Sequence, residues 1–358
     1  MRVPPPPARG ATLNRTSDRF NLPEREADGD WLDDRAEVDG APPPLRTTIT
    51  VERPKTIITR NTSPDIGFDR SINPYRGCEH GCIYCFARPT HAFHDLSPGI
   101  DFEPKLFAKP GAAALLRAEL AKPGYSPRSM ALGTNTDPYQ PIEAHWRITR
   151  SILEVLAETR HPLTITTKSN RVTRDIDILA PMAADGLAAV CVSVTSLTPE
   201  IARTLEPRAP HPRRRLAAVR ALTDAGIPAY VSIAPVVPGI TDHEVEHIVE
   251  AAAEAGARGA FFLPVRLPFE VAPLFRGWLE EHFPDRAAKV MAIIQSLRGG
   301  RDNDPDFFTR MQGQGPWAEL MRARFKIAIR KHGLGHMKLD LRTDLFQAPE
   351  RGGQMRLF

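Results

Sequence analysis

Strand-like runs that recur about every 30 residues along the middle of this chain restrict its fold more than any other feature. They span Leu163 to Thr167, Ala189 to Thr195, Ala229 to Ala234 and Gly259 to Leu263, with Met130 to Gly133 ahead of them. Antiparallel neighbours can be joined by a two-residue turn, whereas parallel strands need a crossover of a dozen or more residues, usually a helix. Amphipathic stretches fill the intervals at Arg147 to Glu158, Pro212 to Ala225 and Asp242 to Ala255. Gly226 reads as a helix C-cap with Pro228 just beyond it. Thr241-Asp242 ahead of Glu244 reads as an N-cap with an acidic first turn. Counting the short run Arg70 to Pro74, the chain holds six β/α units. A closed barrel needs eight, so the expected fold is α/β, an open partial (β/α)6 barrel of the TIM type. Active sites of such folds lie at the C-terminal ends of the strands. Polar residues collect there, in Gly133 to Asp137, Thr167 to Ser169, Ser193 to Ser196 and Pro235 to Gly239.

Around this barrel, expected over residues 47–270, the organisation is legible from composition. Residues 1–46 are rich in Pro, Arg and Asp, which cannot bury enough apolar surface to offset ordering, so this extension is expected to be disordered. Residues 271–331 read as two or three helices beside the barrel or over its mouth, and 332–358 as an extended Gly- and Arg-rich tail. The hydrophobic share of 42% and charged share of 25% are those of a soluble globular protein. A net charge of +4 does not by itself point to nucleic acid. No stretch is apolar enough to span a membrane, and no apolar core follows Arg2 as a signal peptide requires, so the chain reads as cytoplasmic.

Four cysteines in 358 residues make no disulfide framework, and three of them share one short loop, Cys78-x3-Cys82-x2-Cys85. A cubane iron–sulfur cluster takes thiolate ligands, and three of them leave one iron open. An open metal position is where a co-substrate binds. A structural zinc site with His80, His91 or His94 as fourth ligand is the plainer alternative, but such sites usually pair their cysteines in two separated halves. A redox pair of Cys82 and Cys85 leaves Cys78 without a role.

The loop resembles the signature of the radical S-adenosylmethionine (SAM) superfamily, including the aromatic Tyr84 before the third cysteine. Within it the chain is most similar to the spore photoproduct lyase-like group, in Asn73 to Cys78, Thr134 to Tyr139, Thr166 to Ser169 with Arg174-Asp175, and Glu206-Pro207-Arg208. The resemblance implies a [4Fe–4S] cluster on Cys78, Cys82 and Cys85, SAM on the open iron, and a reductant such as flavodoxin or ferredoxin. It also implies that Lys168 meets the SAM carboxylate and that Tyr84, Glu206 and Arg208 serve the cofactor. Alternation along Ala189 to Thr195 turns Val190, Val192 and Val194 outward and Cys191, Ser193 and Thr195 inward. Ser193 and Thr195 are therefore candidates for the ribose, and Cys191 for a hydrogen-atom relay. Asp137 is a candidate for the SAM ammonium, set against a simple Asp-Pro turn. The run Arg213 to Arg215 is expected to be a solvated helix start.

The resemblance leaves the substrate open, with lyase-like repair of a DNA lesion as one alternative. The lyase carries a further cysteine after the second strand; here Ser129 to Asp137 contains none. The end of the tail, Gln354 followed by Leu357 and Phe358, resembles the short motif by which bacterial proteins engage the sliding clamp, with Met355 where leucine is usual.

Overall fold

The computed structural model describes residues 9–14, 17–20, 46–336 and 340–349. In chain order the strands are β1 (Thr48–Val51), β2 (Ile58–Arg60), β3 (Arg70–Ile72), β4 (Tyr75–Arg76), β5 (Lys105–Ala108), β6 (Met130–Leu132), β7 (Leu163–Thr167), β8 (Ala188–Ser193), β9 (Ala229–Val236), β10 (Gly259–Pro264) and β11 (Gly335–His336). One sheet runs β2-β3-β6-β7-β8-β9-β10-β11, parallel throughout except that β2 is antiparallel to β3. The six strands β3, β6, β7, β8, β9 and β10 are those expected, the last four from the recurrence. The row ends on β2 and β11, which do not pair, so the barrel is partial.

The helices that cover it are α1 (Ala112–Leu120), α2 (Ile148–Glu158), α3 (Ile176–Ala184), α4 (Pro212–Asp224) and α5 (Val245–Glu254). Val190 and Val192 of β8 join Ile152, Leu179 and Val219 in the main core between sheet and helices. Each such side chain contributes about 1.5–3 kcal/mol by leaving water. The opposite face of β8 looks into the barrel, where Ala189 and Cys191 cluster with Tyr230, Phe261 and Leu341. Gly226 closes α4 at φ +78°, its N–H donating to Thr223 O while Ile227 N–H reaches Leu222 O. That is the glycine C-cap expected. Thr241 behaves differently: its hydroxyl accepts from Val237 N at 2.9 Å, closing the turn below the helix instead of capping it.

Three further helices follow: α6 (Val271–His282), α7 (Pro284–Ser296) and α8 (Gly315–Lys331). Trp278 of α6 is fully buried, stacked on Phe275 with its ring N–H on Thr204 O at 3.0 Å, so α6 sits against the short helix Pro199–Leu205 that follows β8. Helix α8 packs on α5 and β10.

A second sheet, β1-β5-β4, holds the segment that enters the cysteine loop. Its strands are only two to four residues long, too short to carry a periodic signal in the sequence. Part of the N-terminal extension is seated here as well. Gly10 N–H and Ala11 N–H donate to the buried Glu103 carboxylate at 3.0 and 2.9 Å. At the other end of the chain, Arg342 N–H meets Gly186 O and Gln347 N–H meets Thr159 O, beneath the N-terminal ends of β8 and β7. Gln354, Leu357 and Phe358 lie outside the described residues. Among the described residues, no helix is long and apolar enough to cross a membrane.

Candidate metal centre and cofactor pocket

The cysteine loop starts where β4 ends, and two glycines make its path possible. Gly77 has φ +72° and a Cβ there would lie 2.6 Å from Leu106; Gly81 has φ +69° and meets Glu103 at 2.9 Å. Arg88 is wholly buried and organises the loop from within. Its guanidinium donates to Cys82 O, Gly81 O, Pro98 O and Gly99 O, and pairs with Glu103 at 2.7 Å. The loop is tied to the segment after β6 by Thr136 Oγ1 and Gln140 Nε2, both donating to Gly77 O, and by Glu79 N–H donating to Gln140 Oε1. Arg88, Glu103 and Gln140 are invisible to motif reasoning because their partners are mostly backbone atoms fixed only by the fold.

Cys78, Cys82 and Cys85 line one open pocket at the C-terminal ends of β6, β7 and β8, with Asp137, Lys168 and Ser193 on its wall. Among the described residues, no three His, Cys, Asp or Glu side chains are gathered tightly enough to grip a single ion. Burial pushes the Cys82 thiol up to about 12 and Cys78 well above its ordinary value, and neighbouring acidic groups and cysteines add to the shift. Buried thiolates so crowded need a compensating positive centre, and a multi-iron cluster is one whose natural ligands are thiolates. The donor set therefore fits a [4Fe–4S] cluster.

Lys168 stands at the end of β7. Its Nζ lies 5.6 Å from the centre of the Tyr84 ring, and no carboxylate of the described residues takes a hydrogen bond from it. Burial works against its charge, but Cys82 and Glu206 outweigh that and raise its pKa. Its backbone is held by Asp137, which accepts from Lys168 N–H at 2.7 Å, Thr167 Oγ1 at 2.7 Å and Tyr139 N–H at 2.9 Å. His80 Nδ1 lies 3.4 Å away without hydrogen-bond alignment. Despite burial, His80 and these donors bring Asp137 to about 2. Asp137 thus closes an Asx turn and also fixes the pocket wall. Gly133, at φ +91°, lets β6 approach β7 where a Cβ would lie 2.0 Å from Thr166 O.

The other expected contacts separate. Ser193 lines the cavity. Thr195, Tyr84 and Glu206 form a buried network behind the wall: Tyr84 and Thr195 donate to Glu206 Oε1, the latter at 2.7 Å. Glu206 Oε2 faces Arg215 as a buried ion pair, by charge and not by an aligned hydrogen bond. Arg215 is 1% exposed, which corrects the expectation of a solvated Arg213 to Arg215 run. The first turn of α4 points one arginine of the three inward, onto Ser193 O and Pro210 O. Arg208 reaches Glu79 of the loop at 3.1 Å. Cys191 faces the barrel interior two residues below Ser193, in register with Thr166 of the cavity wall.

The family model of the radical SAM superfamily matches residues 72–252. An uncharacterized protein of Mycobacterium tuberculosis is 38% identical over 230 residues, which cover 64% of this chain and 68% of that protein. Spore photoproduct lyase complexed with dinucleoside spore photoproduct has a similar fold, with a TM-score of 0.54 at 16% identity over 80% of this chain and 79% of that one. A mutant of that lyase with bound AdoMet and dinucleoside spore photoproduct gives the same TM-score over 79% of this chain and 78% of its own.

Proposed function

We propose, from the premise that this chain belongs to the radical SAM superfamily and is an enzyme, that Cys78, Cys82 and Cys85 hold a [4Fe–4S] cluster beside bound SAM. Reduced by a flavodoxin or ferredoxin, the pair supplies reductive cleavage of SAM to a 5′-deoxyadenosyl radical that abstracts hydrogen from a substrate. One observation carries the reading: three thiols and an ammonium, without a carboxylate partner among the described residues, line one pocket at the strand ends.

The chain's own residues then have distinct tasks. Lys168 Nζ binds and orients the SAM carboxylate, and Asp137 keeps its backbone in place. Ser193 Oγ is positioned for the ribose. Tyr84, Thr195, Glu206 and Arg215 hold the loop and wall in register and are spoken for by one another. Arg208 steadies the loop through Glu79. Cys191 is the proposed relay: its S–H bond breaks as a C–H bond forms on a product radical, leaving a thiyl sulfur. A lesion-repair reading draws support from Phe86, 57% exposed at the cavity rim directly after Cys85, where a base could stack. In the same reading the tail motif at Gln354, Leu357 and Phe358 docks on a sliding clamp. A peptide of residues 350–358 should bind clamp, and equal binding of its Leu357→Ala, Phe358→Ala counterpart would remove that idea.

Anaerobic reconstitution tests the central reading. The protein should take up about four irons and, with dithionite and SAM, release 5′-deoxyadenosine. Cys82→Ala should abolish the release. Tight zinc binding without SAM turnover would overturn it.

A further inference from the structure

The residues after β10 contain an arginine that pairs with no carboxylate among the described residues. Arg266 follows β10, at the end of the barrel where ligands bind. Its Nη1 donates only to the sulfur of Met311 at 3.1 Å, a weak acceptor, and its Nε is buried with no partner. Two more arginines stand close by: one is paired with a carboxylate, and the other is turned onto main-chain carbonyls with its own Nε unpartnered. Arg310 makes a bidentate pair with Asp65 at 2.6 and 2.7 Å. Arg298, 1% exposed, donates to Val265 O and to Arg310 O. The nearby acids are committed. Asp65 is taken by Arg310, and Asp304 accepts from Thr309 Oγ1 at 2.7 Å and from Asp306 N–H. Burial and the Arg310 charge both work against the Arg266 cation.

A guanidinium that is half-buried, beside two others and without a carboxylate, is expensive to keep for stability alone. It is well suited to a bidentate oxyanion. We infer that Arg266 is a recognition residue for an anionic group, a phosphate or a carboxylate, carried by the substrate that enters the barrel mouth over β10. Only the word substrate rests on the function proposed above; the anion binding itself does not.

The test uses the full chain and needs no SAM turnover, so its failure is distinguishable from failure of the cluster reading. Inorganic phosphate and acetate are titrated separately at constant ionic strength set with chloride, followed by calorimetry and by thermal unfolding. At least one should bind saturably, and which one does identifies the group. Arg266→Gln should weaken that binding at least tenfold, while Met311→Leu keeps it. Without added oxyanion, Arg266→Gln should unfold no earlier than the parent, because it removes an uncompensated charge. Equal binding by Arg266→Gln, no saturable binding of either anion by the parent, or a marked loss of stability in Arg266→Gln would each overturn the inference.

Discussion

Replacing Glu206 by glutamine keeps the shape of the side chain and removes one charge from the centre of the site. Glu206 is 2% exposed and Arg215 is 1% exposed, so neither has water to fall back on. Burial disfavours the Glu206 anion, but Arg215, Lys168, Tyr84 and Thr195 more than offset this and take its pKa from 4.5 to about 2. A displacement of that size corresponds to about 3 kcal/mol at neutral pH. Removing one partner of a buried ion pair costs about 3–5 kcal/mol, since the other charge is stranded. The two routes agree, so Glu206→Gln should lower the unfolding free energy by about 3 kcal/mol at pH 7, measured by urea denaturation at matched cluster content. A carboxylate with a depressed folded pKa contributes stability above its unfolded pKa and loses it as pH falls towards the folded one. The difference between parent and variant should therefore shrink below about pH 4.5. Adding Arg215→Met should cost less than the sum of the two single changes, because the stranded charge is gone. A loss under about 1 kcal/mol for Glu206→Gln, or strict additivity in the double variant, would refute the pairing drawn from the structure.

Lys168→Met removes an ammonium that donates to no carboxylate among the described residues, so SAM affinity should fall about 10- to 100-fold, as expected for a lost charged hydrogen bond, with a smaller loss of stability from the lost attraction to Glu206; equilibrium dialysis of the reconstituted protein checks the first and urea denaturation the second. His161 is buried between Tyr125 and Pro162 O, and burial lowers its pKa to about 4. Its folded pKa lies below its unfolded one, so the parent should lose stability as pH drops from about 6.5 to about 4, and His161→Gln should lose about 3 kcal/mol less over that range by urea denaturation. Cys191→Ala should leave 5′-deoxyadenosine release intact while altering the product ratio once a substrate is in hand, and unchanged products would end the relay idea.

The sequence alone determined the parts of this protein governed by local periodicity. The ~30-residue recurrence set the last four of the six parallel strands, alternation set which side of β8 faces the barrel interior, and Gly226 set a helix end. The cysteine spacing brought three thiols together because residues within eight positions are close whatever the remainder of the chain does. Tertiary structure decided the rest. Only the fold brings Arg88 onto four carbonyls of the cysteine region, Arg215 under Glu206, and the backbone of Gly10 and Ala11 onto Glu103. These are polar groups with partners far away in the chain or on the backbone, and a residue's type does not say whether a buried partner awaits it. In Arg213 to Arg215 the same side chain occurs three times in a row, and helical geometry points one of the three inward, where burial turns a surface charge into half of the pair that holds the site wall.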